Sequence, residues 1–175
     1  MNRTSKMMVA AMIAAACSLQ AQDANPISAN MKQSWNNVKG LLTRMAEKMP
    51  EENYRFKPVP AIEDFGQRMA HVAAFNMRGC ALVKGDQKAI KAGAAPTKAE
   101  VVAALKESSD ECDAVFNSLT DAEALKTVDA GRGPRAKLAI LQGLVLEHSQ
   151  EVYGYAAVYM RLKGIVPPSS DRNER

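Results

Sequence analysis

Apolar residues recur at intervals of three and four along separate stretches of this 175-residue chain, and this spacing constrains the fold more than any other feature. The first stretch ends at Pro50, the second covers about 62–83, the third opens with the capping-box sequence Thr97-Lys98-Ala99-Glu100, and the fourth covers about 134–163. No stretch shows the sustained period-two alternation of a strand, so we expect no sheet. Amphipathic helices of this kind bury their apolar faces against one another, which predicts an all-α, up-and-down four-helix bundle.

The first residues of the chain follow a different pattern. A short basic region precedes the apolar run 7–19, which is short for a membrane span, and small residues around Ala21 resemble a cleavage site. We therefore expect a signal peptide at 1–21, a mature domain at 22–175, and export to the periplasm or the medium. An uncleaved membrane anchor is the alternative.

Charge and hydropathy exclude two classes of partner. The formal net charge of +4 falls to +2 when the predicted signal peptide is removed, because Arg3 and Lys6 are its charged residues. The remaining chain has no block of basic residues with interleaved aromatics, so we expect no nucleic-acid partner. No later apolar run reaches the length of a membrane span, so we expect no membrane association after cleavage.

Cys80 and Cys112 remain in the mature chain, and both lie on or near helical apolar faces. The pattern favours two small buried side chains that behave as apolar residues. A disulfide between them is the alternative, since an exported protein can keep one.

The chain contains two histidines, His71 and His148. A projection at 100° per residue puts His148 in the middle of the apolar face of the fourth helix and His71 at the edge of the second helix's face. The projected face of the fourth helix comprises Leu141, Leu144, Val145, His148, Val152, Tyr155, Tyr159 and Leu162. The second and fourth helices of such a bundle run parallel, so the two imidazoles can meet across the core.

A buried imidazole needs a hydrogen bond or a metal ion for its ring nitrogens. Two histidines supply two nitrogen ligands, whereas zinc sites use three or four protein ligands. The position best placed for a third ligand is i+4 from His148 on the same face, and it is Val152, which cannot bind a metal. Glu151, on the flank of that face, is the candidate to complete the set. A hydrogen-bonded core histidine without metal remains the alternative.

Two segments carry a resemblance to a known family. The sequence from His148, "HSQEVYGYAAVYMRLKGIVPPSS", and the sequence from Glu51, "EENYRFKPVPAIEDFGQRMAHVAAFN", resemble signatures of the DinB-like (DinB/YfiT) superfamily of small four-helix bundles. The resemblance extends from about Ile27 to Ser170. It implies the same fold that the apolar spacing predicts.

The resemblance also implies a cofactor. Members typically hold a divalent metal such as zinc or nickel on three histidines, one in the second helix and an HxxxH pair in the fourth. Those positions correspond to His71, His148 and Val152, so the triad of this chain is incomplete. Members include thiol-dependent transferases and an isomerase, and many carry the general label of metal-dependent hydrolase.

Two functions follow as expectations. The first is an exported divalent-metal-binding protein of hydrolase or transferase ancestry with a degenerate site at His71, His148 and Glu151. The second is a non-catalytic bundle that binds an unknown small molecule or a protein partner through the vestigial cavity, and Val152 favours it. The resemblance further implies a homodimer.

Overall fold

The computed structural model describes residues 25–90, 93–131 and 133–172, and the predicted signal peptide lies outside them. Long helices pack around one apolar core, which confirms the predicted all-α bundle. In chain order the helices and strands are α1 (Pro26–Lys48), α2 (Phe65–Lys84), α3 (Lys98–Ser118), α4 (Asp121–Leu125), β1 (Thr127–Asp129), β2 (Pro134–Ala136) and α5, continuous over 137–162. Short 3₁₀ turns lie at Glu51–Asn53 and Pro168–Ser170.

The first turns of α1 and α4 are joined by reciprocal caps. Asp121 accepts hydrogen bonds from the backbone N–H and the hydroxyl of Ser28, both at 2.8 Å. In return, Oδ1 of Asn25 accepts the backbone N–H of Asp121 at 2.9 Å. Each side chain therefore satisfies donors that the first turn of a helix leaves without a partner.

Capping boxes define where α2 and α3 begin. Asp64 and Gln67 form one at the start of α2, and Thr97 and Glu100 form the predicted one at the start of α3. α2 therefore begins later than the apolar spacing indicated, at Phe65.

Cys80 on α2 and Cys112 on α3 are joined by a disulfide, with Cα atoms 5.2 Å apart. The interpretation as two separate buried thiols is therefore wrong. Both residues are buried, as their apolar faces predicted. The bond forms because the two side chains lie at the same level of neighbouring helices, within the Cα separation that a disulfide spans.

A two-stranded antiparallel pair, β1 and β2, follows α4, so the expectation of no sheet is wrong in this detail. Thr127 pairs with Ala136, and Asp129 pairs with Pro134. The strands are three residues long and largely exposed, so they show no apolar alternation that the sequence could reveal. Because β2 extends to Ala136, α5 begins at Lys137, slightly later than predicted.

The segment Leu141–Glu147 of α5 is π-helical and separates α-helical Lys137–Ile140 from α-helical His148–Leu162. Its wider turn rotates each residue by less than the α-helical 100°. Side chains after this segment therefore face directions that differ by about one position from an α-helical projection.

This rotation changes which residues of α5 are buried. Burial of Leu141, Val145, Val152 and Tyr159 is confirmed. Beyond the π-segment, however, Ser149 and Ala156 are buried, while their neighbours His148 and Tyr155 are not. Leu162, predicted to be buried, is also exposed.

Among the described residues, no helix has both the length and the apolar character needed to cross a bilayer.

Candidate functional site

The two histidines meet where α2 packs against α5. Their ring centroids are 5.1 Å apart and the ring planes are tilted by 59°. The ring of Phe75 lies 4.5 Å from each of them, so the three rings form one cluster. Parallel packing of the second and fourth helices predicted this meeting.

The cluster lies at the rim of the core, not at its centre. The side chains of His71 and His148 are 33% and 19% exposed. The prediction that His148 occupies the middle of the buried face is therefore wrong. Ser149 takes that place and donates a hydrogen bond to Oδ1 of Asn76 at 2.9 Å, between two fully buried side chains.

Each histidine has a carboxylate on the Nδ1 side of its ring. Glu151 Oε2 lies 3.3 Å from Nδ1 of His148, one turn away on α5. Glu63 Oε1 lies 4.0 Å from Nδ1 of His71. Because an ionised carboxylate can only accept, this contact favours the form of His148 with the hydrogen on Nδ1.

Glu151 is itself held by a second partner, since Tyr155 donates its hydroxyl to Glu151 Oε1 at 3.0 Å. The hydrogen bond from Tyr155, and then the one from His148, lowers the pKa of the Glu151 carboxyl. The same contact with Glu151 raises the pKa of Tyr155. Both shifts favour an ionised Glu151 beside a neutral Tyr155.

Arg68 contacts both Glu63, which lies beside His71, and Tyr155, which bonds to Glu151. Its Nε lies 3.4 Å from Glu63 Oε2, and its guanidinium lies 5.5 Å from the centroid of the Tyr155 ring. Glu63 and Arg68 were not identified from the sequence. Glu63 belongs to an irregular connection, in which apolar spacing does not indicate where a side chain lies.

The other nitrogen of His148, Nε2, is buried and has no hydrogen-bond partner among the described residues. A buried polar atom without a partner costs about 1–3 kcal/mol. For His71, burial lowers the pKa, and the carboxylate of Glu63 partly offsets this effect. A neutral His71 has one ring nitrogen with a free lone pair.

The ring centroids of His71 and His148 lie 5.1 Å apart, so both imidazoles are close enough that they could contact one divalent cation. The third position does not contribute, because Val152 is apolar and fully buried. Among the residues that the structure describes, no group of three or more His, Cys, Asp or Glu side chains is arranged to hold a metal ion. The donor set therefore fits a two-imidazole site and not a three-ligand one.

A groove of about 540 Å³ lies beside Glu151. Its lining residues are Pro58, Ile62, Arg68, Glu151, Tyr155, Val158 and Tyr159. The walls are mainly apolar, and the charged groups belong to the network around the histidines. A small apolar molecule with one polar end has a size and polarity that suit this groove.

The fold is that of a small all-α helical bundle, with His71 on its second helix and His148 on its last. The family model of the DinB superfamily matches residues 31–156, and the chain belongs to this superfamily.

Solved structures show the same fold. A crystal structure of a DinB-like protein from Bacillus cereus is 17% identical, with a TM-score of 0.66, and the match covers 79% of this chain and 93% of that one. A DinB-like protein from Bacillus subtilis is 18% identical, with a TM-score of 0.61, and the match covers 77% and 92% of the two chains. No curated protein matches the chain. At these identities the likeness establishes the fold alone.

Proposed function

We propose that this chain is an exported DinB-like protein that binds a divalent cation, such as zinc or nickel, through the imidazoles of His71 and His148. The observation that carries this proposal is Nε2 of His148, which is buried without a hydrogen-bond partner among the described residues. The carboxylate on the Nδ1 side adds support, because histidines that bind metals usually donate their other N–H to such a group.

Binding is weak in this proposal because the set lacks a third protein ligand. Val152 occupies the position that would supply it. A bound divalent cation would supply Lewis-acid polarisation of an oxygen or sulfur group. Superfamily membership suggests that the site descends from a hydrolase or a transferase.

Export is part of the proposal and has two supports. The amino-terminal sequence has the three parts of a signal peptide. The buried disulfide between Cys80 and Cys112 suits an oxidising compartment, in which such bonds persist.

Metal titration of the mature chain, 22–175, without an affinity tag tests the metal site. We expect one zinc or nickel ion per chain, with binding lost in His71→Ala and in His148→Ala. The matched control is Phe75→Leu, which alters the same ring cluster without removing a nitrogen. No binding by the wild-type chain at millimolar metal would exclude the proposed site.

A second candidate is binding of a small molecule without metal or catalysis. The groove beside Glu151 and Tyr155 favours it, since its walls are apolar and a buried valine replaces the third ligand. An apolar fluorescent probe tests this candidate. We expect the probe to bind the wild-type chain, and Val158→Glu, at a partly exposed lining position, to weaken binding without unfolding the protein.

A further inference from the structure

We propose that Glu151 and Tyr155 are positioning residues that hold His148 in the tautomer with hydrogen on Nδ1 and a lone pair on Nε2. This inference rests on the proposed function, because it assigns what prepares the ring that would bind the cation. In this proposal Glu151 orients the ring of His148 through Nδ1 and does not itself bind the cation.

The first step of the argument is the chain of hydrogen bonds. Tyr155 donates to one oxygen of Glu151 at 3.0 Å, and the other oxygen lies 3.3 Å from Nδ1 of His148. The three residues are spaced three and four apart on one helix, so their side chains are neighbours on its surface. With both oxygens engaged, these contacts favour the orientation of the carboxylate in which Oε2 faces the ring of His148.

The second step concerns what this orientation does to the ring. An ionised carboxylate accepts a hydrogen, so its contact with Nδ1 favours the Nδ1–H form of a neutral imidazole. Nε2 is then the nitrogen with the lone pair, and it is the atom that is buried without a partner. Without Glu151, the ring could reverse this assignment and protonate Nε2.

The third step is that the fold does not need these two side chains. Glu151 and Tyr155 are 52% and 49% exposed, so neither fills space in the core. Their contacts run to His148, to each other and, through the ring of Tyr155, to Arg68. Substitutions at both positions should therefore leave the bundle folded.

The experiment uses nitrogen NMR of the imidazoles in the untagged, metal-free mature chain, at a pH where the rings are neutral. The chain has two histidines, so His71→Asn assigns both rings. We expect His148 of the wild type to be mainly in the Nδ1–H form. Glu151→Ala should shift it to a mixture or to the Nε2–H form, and Tyr155→Phe should produce a smaller shift in the same direction.

Matched controls make the same chemical changes elsewhere on α5. Tyr153→Phe removes a hydroxyl that accepts from the backbone N–H of Ser169, and Glu147→Ala removes a carboxylate that pairs with Gln142. Both should leave the tautomer of His148 unchanged. Zinc affinity should fall by about 10- to 100-fold in Glu151→Ala and remain unchanged in the controls.

The outcomes separate this inference from the proposed function. A wild-type His148 that is mainly in the Nε2–H form, or a tautomer that Glu151→Ala leaves unchanged, overturns the inference even if zinc binds. A tautomer that depends on Glu151 in a wild-type chain that binds no zinc supports the inference and removes the proposed function.

Discussion

Ser149 donates its hydroxyl hydrogen to Oδ1 of Asn76, and both side chains are buried in the interface between α5 and α2. This bond lies one residue from His148 and fixes α5 against α2 beside the histidine pair. A single polar bond in an apolar interface has one arrangement that satisfies both partners, so it specifies how the two helices align.

Ser149→Ala should therefore destabilise the protein, because Asn76 keeps a buried oxygen without its partner. We expect the free energy of unfolding to fall by about 1–3 kcal/mol in urea titrations. Ser118→Ala is the control, since that exposed serine bonds to carbonyls of its own helix and should change stability by less than about 0.5 kcal/mol. Equal effects of the two substitutions would contradict the role of the Ser149 bond.

Val152→His should restore the third imidazole of the superfamily's set, at i+4 from His148. Without metal the variant should be less stable by about 1–3 kcal/mol, because a buried valine is replaced by an imidazole that lacks partners. With zinc at a hundredfold excess over its dissociation constant, stability should recover by about 2.7 kcal/mol. Thermal melts with and without zinc measure both effects.

Val158→His is the control for this gain, because it makes the same change at an exposed position of the same helix. It should respond to zinc as the wild type does. If Val152→His responds to zinc no more than Val158→His, position 152 does not join His71 and His148 in one site.

Reduction of the Cys80–Cys112 bond should lower the stability of the mature chain. The bond closes a loop with a sequence separation of 32 residues. The loss of this constraint on the unfolded chain corresponds to about 3–4 kcal/mol. The measurement is urea unfolding with and without reductant, and Cys80→Ala/Cys112→Ala should be insensitive to the reductant. A wild-type chain equally stable in both conditions would show that the bond is absent in solution.

Acid should weaken the contact that joins the first turns of α1 and α4. Hydrogen bonds from Ser28, chiefly from its backbone N–H, lower the pKa of Asp121 in the folded protein. The unfolded chain therefore binds the proton more readily, so the stabilisation is present above the ordinary pKa and is lost as pH falls through the lowered one. Asp121→Asn should reduce this part of the pH dependence below about pH 4. Melting temperatures of both proteins between neutral pH and pH 2 give the comparison, and identical profiles would be evidence against the contact.

The expected homodimer stays a prediction. Sedimentation of the mature chain at micromolar concentration should show a species of twice the chain mass. A single species of monomer mass would contradict it.

Much of the fold could be predicted from local patterns. The apolar periods and the capping box at Thr97 and Glu100 located the long helices, because helix formation depends on neighbours three and four residues apart. The same periods indicated that His71 and His148 approach each other. The identity of Val152 led to the prediction that the set of imidazoles lacks a third member, which stays a prediction.

Only the tertiary structure determined whether each of these side chains is buried and which groups it contacts. The π-segment Leu141–Glu147 rotates the rest of α5, so Ser149 is buried and His148 reaches the rim, which an α-helical projection does not predict. Glu63 comes to His71 through an irregular connection. The disulfide likewise forms because Cys80 and Cys112 lie at the same level of the neighbouring helices α2 and α3. The disulfide and the Ser149–Asn76 bond result from packing between distant segments, whereas sequence periodicity reports only on residues within a few turns of one another.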